Sequence, residues 1–430
     1  MNAVATLADQ IPLRAHGTKA RYRIAMVAAC PMPARRGTPL RVERLAHALW
    51  SRGHEVELIT YHIADNEHTF EYPVHRIFGK PLYWSMPAGP NLRKLAIYDP
   101  ALALKLWRVL KKGKFDVVHA HHVEGLLAAL PTRLHAAQLP LVYDAHTMLA
   151  SELPSYGPER SRSVVQALGR WFDGVLPRRA DHVVAVTVDI RNRLVERHAV
   201  AADRVTVVTN GVEMERFQVP APPTDGTVRI MYSGTLAPYQ DVDLLLDAFA
   251  RAWRTRKDLR LVFSVSSSFR SYTAKVTRLG IRDAVEVLPD NFEVLPERLA
   301  GAAMAVLPRT RCDGIPQKLL NYMAAGKAIV SSAGSAKVIE NERTGLVVAN
   351  GDAEAFSRAI LRLAANPAYA QQLGLAAREH VAANYSWEQA AERVEGVYET
   401  VIAAARARAA LGRRQIKSVA PVDSPKSPMT

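Results

Sequence analysis

Short apolar runs alternate with longer amphipathic stretches along most of the chain. Runs of about four to eight apolar residues bounded by turn residues read as buried strands, and apolar positions three and four apart read as helices. The first set of predicted strands is Arg23–Ala29 (RIAMVAA), His54–Thr60 (HEVELIT), Asp116–His119, Pro140–Asp144, His182–Val186 and Arg204–Val208. Between the first two lie the loop Pro31–Pro39 (PMPARRGTP) and a helix carrying Leu45, Ala48 and Leu49, closed by Gly53. Gln218–Thr227 (QVPAPPTDGT), with three prolines and a glycine, interrupts the rhythm and reads as a linker. A second set follows at Val228–Tyr232, Arg260–Val265, Ala284–Leu288, Ala303–Leu307, Ala328–Ser331 and Gly345–Val348, with helices over Val242–Trp253 and Phe356–Ala364. Strands alternating with helices predict an α/β protein with two doubly wound, mostly parallel sheets. The predicted organisation is a flexible leader over 1–20, a first domain over 21–217, a linker over 218–227 and a second domain over 228–385. A helix over 386–411 is expected to pack back towards the first domain, and a disordered tail over 412–430 completes the chain.

Leu307–Gly326 (LPRTRCDGIPQKLLNYMAAG) carries the densest chemistry. A buried strand ends there, and a loop with Arg309, Arg311, Asp313 and Gly314 leads to Pro316, placed by its chemistry at the first helical position. Leu319, Leu320, Tyr322 and Met323 give the helix an apolar face, and Gly326 caps it. The free N–H groups around Ile315–Lys318 and the cations Arg309, Arg311 and Lys318 would form an anion site at a helix N-terminus.

Composition narrows the class. Of the 430 residues, 49% are hydrophobic and 23% charged, which suits two globular domains. No apolar run reaches bilayer-spanning length, and the N-terminus lacks the order of a signal peptide. Cys30 and Cys312 are the only cysteines and are expected to be reduced thiols, as in the cytoplasm. A net charge of +15 points to anionic partners. Nucleic acid is disfavoured, because zinc ligands, RNA-binding aromatics and a helix-turn-helix are missing. Phosphorylated small molecules and an anionic membrane surface remain, with the amphipathic Leu102–Lys114 as either a membrane-lying or a half-buried surface helix. No G-x-G-x-x-G follows the first strand, so a dinucleotide site is not supported. His119, His121 and His122 sit at a strand end, where core packing explains them better than a metal.

Several segments occur together in a telling order: VHAHH (Val118–His122), VYDAH (Val142–His146), TNGVEMERF (Thr209–Phe217), YSGTLAPYQDVDLLLDAF (Tyr232–Phe249) and PQKLLNYMAAGKAIV (Pro316–Val330). Together they resemble the retaining glycosyltransferases of family 4, over roughly Arg21 to Arg408. The resemblance implies the GT-B fold, two Rossmann-like domains facing each other across a cleft. It also implies transfer of a sugar from a nucleotide-sugar, UDP- or GDP-linked, to a glycan or lipid-linked acceptor, with retention and without a metal or other cofactor. The enzyme would then act in polysaccharide or glycolipid synthesis, in the cytoplasm or peripherally on the inner face of the membrane. His146 falls where the family places its active-site histidine. With Arg309 at the leaving diphosphate and Asp313 on the sugar hydroxyls, it makes up the expected catalytic set.

The donor set implied by the resemblance and the local chemistry is Gly37, Thr38, Gly234, Thr235, Gln240, Arg309, Arg311, Gly314, Ile315, Pro316, Lys318, Leu319 and Asn321, with no metal ligand. The chain departs from the family at three of them. The family's acid–seven residues–acid pattern reads Asp313 and Asn321 here, so the ribose-binding carboxylate has become an amide. The Arg–Lys pair that meets the diphosphate falls on Thr235 and Gln240; Arg309, Arg311 and Lys318 are the expected replacements. A non-catalytic GT-B scaffold that binds nucleotide without turnover is the alternative these departures raise.

Overall fold

The computed structural model describes residues 20–418, apart from 35–36, 66, 85, 87–88, 90–92, 135, 137, 156–161 and 221–224. The expected leader therefore lies outside the described residues but for Arg21's neighbour Ala20, as do the centre of the linker and residues 419–430.

The first domain opens with β1 (Arg23–Ala28), α1 (Gly37–Ser51) and β2 (Glu55–Thr60). Three short strands follow, β3 (Ile63–Ala64), β4 (Val74–Arg76) and β5 (Leu82–Tyr83), then α2 (Asp99–Lys112). The regular alternation resumes with β6 (Val117–His121), α3 (His122–Ala129), β7 (Leu141–Ala145), α4 (Leu149–Glu152) and α5 (Arg162–Val175). It closes with β8 (His182–Ala185), α6 (Val188–Asn192) and β9 (Val205–Val207). Seven strands form one sheet in the order β4-β2-β1-β6-β7-β8-β9. Their pairings are parallel throughout.

The second domain repeats the plan with β10 (Val228–Gly234), α7 (Val242–Thr255), β11 (Leu259–Val265), α8 (Arg270–Leu279) and β12 (Val285–Pro289). There follow α9 (Leu295–Ala300), β13 (Met304–Leu307), α10 (Gln317–Ala324), β14 (Ala328–Ser332), β15 (Leu346–Val348), α11 (Ala353–Ala365) and α12 (Pro367–Asn384). Its six strands run β12-β11-β10-β13-β14-β15, again all parallel. Both sheets are covered on both faces, so strands such as β6, β7 and β13 are buried along their whole length. In each sheet the order reverses next to its first strand, β1 or β10. The carboxyl ends of β1 and β6, and of β10 and β13, are therefore the ligand-binding edges of such folds.

The last helix, α13 (Trp387–Ser418), returns to the first domain. Trp387, Ala390, Ala391, Val394, Val397, Tyr398, Val401 and Ile402 recur at helical spacing and pack with Ile24, Met26, Val42 and Leu45. Glu395 pairs with Arg52 and, at 3.0 Å, with His54, so the return is fixed by charge as well as apolar contact. The helix runs past Gly412, where the tail was expected to begin. Alanine and arginine dominate this stretch, and a single glycine costs too little helix propensity to stop it.

Helix α2 decides between the two expectations for Leu102–Lys114. Leu102, Leu106 and Val109 are buried in the first domain, and Lys111 sits 4.0 Å over the Trp107 ring. Its apolar face is used for packing, so the segment is a half-buried surface helix and does not offer that face to a membrane. No described helix is long and apolar enough to cross a bilayer.

Candidate active site at the facing sheet edges

The first-domain half of the site is built on a buried ion pair. Arg41 lies on the apolar stripe of α1 with Val42, Leu45 and Leu49, and is 2% exposed. Its Nε and Nη2 donate to the Asp144 carboxylate, at 3.1 and 2.9 Å to Oδ2, and its Nη1 donates to Asn210 Oδ1 at 3.0 Å. Burial raises the Asp144 pKa, but Arg41 first and the neighbouring histidines next outweigh it, and the carboxyl stays well below its usual range. Removing one member of such a pair strands a buried charge and costs about 3–5 kcal/mol.

Three histidines adjoin this pair. His119 Nδ1 is 2.7 Å from the Tyr398 hydroxyl of α13, and its ring stacks on His121 with centroids 4.4 Å apart. His121 Nδ1 is 3.3 Å from His146 Nε2, and His146 Nδ1 is 3.3 Å from Thr38 Oγ1. Burial pushes the His146 pKa down to about 3, Asp144 opposing and Arg41 assisting, so the imidazole is neutral at pH 7. His121 is likewise lowered well below its ordinary value, by burial first. His122 belongs elsewhere: it pairs with Glu124 and, at 3.1 Å, with Glu152, and these carboxylates hold it well above the usual histidine range despite its burial.

His119, His121 and Asp144 place one ligand atom each within 4.8 Å of one another, which resembles a metal site. The set does not suit one, because Arg41 holds the carboxylate and His119 Nδ1 meets Tyr398. A cation there would be pressed against a guanidinium. Tight packing around the ion pair accounts for the cluster.

The second-domain half lies at the ends of β10 and β13. Tyr322 and Lys318 are four apart on α10 and share a face. The Ser233 N–H donates to the Tyr322 hydroxyl at 2.8 Å, fastening the helix to the end of β10. Lys318 Nζ then lies 4.2 Å over the Tyr232 ring and donates to Gln240 Oε1 at 3.2 Å. Gly234 makes the approach feasible: its φ is +112°, and an added Cβ would come within 2.9 Å of Nζ. Burial first, then the Arg309 charge, lowers the Lys318 pKa to about 7. Thr235 is exposed, and its carbonyl accepts from the Tyr232 hydroxyl at 2.7 Å.

Arg309 is held by its Nε to the Arg311 carbonyl at 2.6 Å and lies 4.8 Å over the Tyr239 ring. Arg311 itself is exposed. Asp241, in the left-handed region at φ +53°, ties the two loops by accepting from Thr310 N and Oγ1, both at 2.7 Å. Among the described residues, neither Arg309 nor Lys318 has a carboxylate at ion-pair distance. Pro316 is one place earlier than expected. Its φ of −61° suits a helix, but ψ is 123°, so it is the N-cap and Gln317 the first helical residue. Ile315, Leu319 and Asn321 are buried beside it, and Gly326, at φ +64°, follows the helix end.

The two halves meet. Asp313 Oδ1 is 2.8 Å from Arg193 Nη1, and its carbonyl accepts from Thr187 Oγ1 at 2.9 Å. Asp313 is thus paired across the domains and is not the N-cap of α10. Gln317 Nε2 donates to the Gly211 carbonyl at 3.0 Å, and the space beside Gly314 opens towards the His146 carbonyl, 3.8 Å from an ideal Cβ. Gly37 begins α1 at the surface with nothing close to an added Cβ. Of the expected residues, Thr38 and His146 come together on one side, and Gly234, Gln240, Arg309 and Lys318 on the other.

Arg41, Asn210, Tyr239, Asp241 and Arg193 were missed. For Arg41 a signal existed: a charged residue on the apolar stripe of a helix, with an aspartate, Asp144, inside an otherwise apolar strand.

The same fold occurs in known proteins. The pattern described as Glycosyltransferase Family 4 matches residues 36–216, and that described as Glycosyl transferases group 1 matches 227–366. The chain is 27% identical over 344 residues to the D-inositol 3-phosphate glycosyltransferase of Streptomyces coelicolor, covering 71% of this chain and 73% of that one. Among solved structures, sucrose-phosphate synthase from Thermosynechococcus elongatus superposes with a TM-score of 0.73 at 20% identity, over 89% of this chain and all of the other. Anabaena HepE, in complex with UDP and glucose, superposes with a TM-score of 0.66 at 16% identity, over 88% of this chain and all of the other.

Proposed function

Since the chain belongs to glycosyltransferase family 4 and has the two-domain GT-B fold, we propose that it transfers a hexosyl or related group from a UDP- or GDP-sugar with retention and without a metal. The observation that carries this reading is the pair of cations Lys318 and Arg309, without carboxylate partners among the described residues, at the ends of β10 and β13. They lie at the edge where parallel α/β sheets bind ligands. A leaving nucleoside diphosphate needs its developing charge stabilised, and fixed cations and helix N–H groups supply that. Lys318 and Arg309 take over from the family's pair, which Thr235 and Gln240 do not provide.

His146, neutral and at hydrogen-bonding distance from Thr38, faces the sugar and acceptor as a donor or acceptor of one hydrogen bond. Same-face attack by the acceptor hydroxyl needs no enzyme nucleophile, which agrees with Asp144, the carboxylate beside His146, being held by Arg41. Asp313 reaches the sugar hydroxyls once Arg193 releases it. The HepE complex with UDP and glucose favours UDP as the base carrier. The acceptor, a glycan or lipid-linked sugar, belongs on the first domain, and the enzyme works in the cytoplasm or peripherally on the inner face of the membrane.

Calorimetric titration with UDP, GDP, ADP and dTDP in the presence of a chelator tests the donor reading. One nucleotide should bind and weaken in both Arg309→Ala and Lys318→Ala; failure of all four to bind folded protein would sink it. The anomeric configuration of the product, read by NMR, tests retention. A second reading, a nucleotide-binding scaffold without turnover, draws on Thr235, Gln240 and the amide at Asn321. Binding of nucleotide-sugar with neither transfer nor hydrolysis would select it.

A further inference from the structure

Helix α5 packs by one face and leaves an apolar face open. Gly169 is pressed against α4, where an added Cβ would come within 2.7 Å of Ala150 N and Cα. Asp173, buried, accepts the Leu149 and Ala150 N–H groups at 2.9 and 3.0 Å. These contacts fix the rotation of α5 about its axis. Val164, Leu168 and Trp171 follow one another at four and three residues, share a stripe, and face outward, 71%, 51% and 59% exposed. The sequence gives no reason for a soluble face to carry a tryptophan beside two aliphatics.

Arginine dominates the charges on this helix and the turn after it. Residues 162–179 contain four arginines, Arg162, Arg170, Arg178 and Arg179, all exposed. Their only acid is Asp173, and its carboxylate is turned into the α4 backbone. Gly174 abuts His198, which brings the exposed Arg197 to the same end of the helix. Tryptophan and arginine both suit the boundary between lipid headgroups and acyl chains. An extended anionic plane is also the partner that a net charge of +15 attracts as a whole, where a local protein epitope would engage only part of it.

We propose that the α5 face of Val164, Leu168 and Trp171, with Arg162 and Arg170 beside it, seats this protein on an anionic lipid bilayer. Its place in the fold gives the seat a use. Helix α4, on which α5 is fastened, starts three residues after His146, so the bilayer would lie one short helix from the reacting groups. An acceptor anchored in that bilayer would be delivered to the first-domain side of the site.

The test is sedimentation with sucrose-loaded vesicles of phosphatidylcholine, with and without phosphatidylglycerol, at low and high salt. The wild type should sediment with the anionic vesicles, less so at high salt, and remain in solution with the zwitterionic ones. Leu168→Ala and Trp171→Ala should each weaken partitioning about tenfold. The Arg162→Glu, Arg170→Glu pair, which removes no core contact, should weaken it further at low salt. Thermal melting and nucleotide binding of each variant report folding apart from docking. A wild type that stays in solution with anionic vesicles, or variants that sediment as it does, would overturn the proposal. So would a wild-type dimer, seen by light scattering, that Leu168→Glu splits, because a second copy would then own the face. The vesicle result stands whether or not any nucleotide binds, so a failed donor reading and a failed docking reading are told apart.

Discussion

The two halves of the site handle charge in opposite ways. At the first-domain edge, Arg41, Asp144 and Asn210 satisfy one another inside the protein, and the histidines packed around them are held neutral or tied to Tyr398. At the second-domain edge, Arg309 and Lys318 stand against aromatic rings with no carboxylate at ion-pair distance among the described residues, although the Asp290 charge acts on Lys318 from farther off. The first arrangement keeps its geometry without a ligand. The second is unfavourable until an anion arrives, because two like charges are held together and Lys318 is partly desolvated. A structural network and a binding site can therefore be told apart by whether the charges are already matched.

Substitutions at the two edges should separate stability from activity. The largest effect is expected from Arg41→Ala, which leaves Asp144 buried and unpaired and should cost about 3–5 kcal/mol in denaturant unfolding. An unchanged midpoint would remove the contrast. Lys318→Ala and Arg309→Ala should unfold like the wild type yet lose about 100- to 1,000-fold in kcat, the range for deleting one charge-stabilising donor. A matching loss of stability would make the second edge structural as well.

The pH responses should differ next. Lys318 titrates near pH 7 in the free protein, and a diphosphate binds its protonated form. Nucleotide affinity should be flat below pH 7 and weaken by up to about tenfold per unit above it, as binding comes to require proton uptake. Lys318→Arg should abolish that slope in calorimetry. The first domain should respond at the other end of the scale. His121 and His146 have folded pKa values below their unfolded ones, so the unfolded chain takes up protons first. The contribution of these two should be constant above pH 6.5 and fall below it, by about 1.4 kcal/mol per pH unit for each histidine until its folded pKa is reached. His146→Gln should flatten the acid limb. The smallest effect belongs to the bridge between the halves. Arg193 and Asp313 are partly exposed, so Arg193→Ala should change stability by less than about 1 kcal/mol. If Asp313 serves the sugar when released, the same variant should lower KM for the donor more than it lowers kcat.

Much of this was legible along the chain. The twelve expected strands all form, most of them compact apolar runs whose burial on two faces is written into their composition, although the edge strand β12 is largely exposed. The helix of Pro316–Gly326 was displaced by one residue only, since φ of proline is set by its ring but ψ is set by the loop before it. The edge strand β4 and the short β3 and β5 were missed, as two or three residues cannot establish a period. The amphipathic segment at Leu102–Lys114 was real, yet its apolar face is covered, while α5 leaves its own uncovered.

Sequence by itself determined the alternation of strand and helix, the parallel two-sheet plan, the family and the cluster of cations after β13. Those follow from periodicity and from motifs whose parts lie close together in the chain. Only the tertiary structure decided which charges are matched. Arg41 and Asp144 lie 103 residues apart, and Asp313 meets Arg193 across two domains. A charge becomes a buried strut, a bridge or a free ligand site according to what distant segments bring against it, and local pattern carries no record of that.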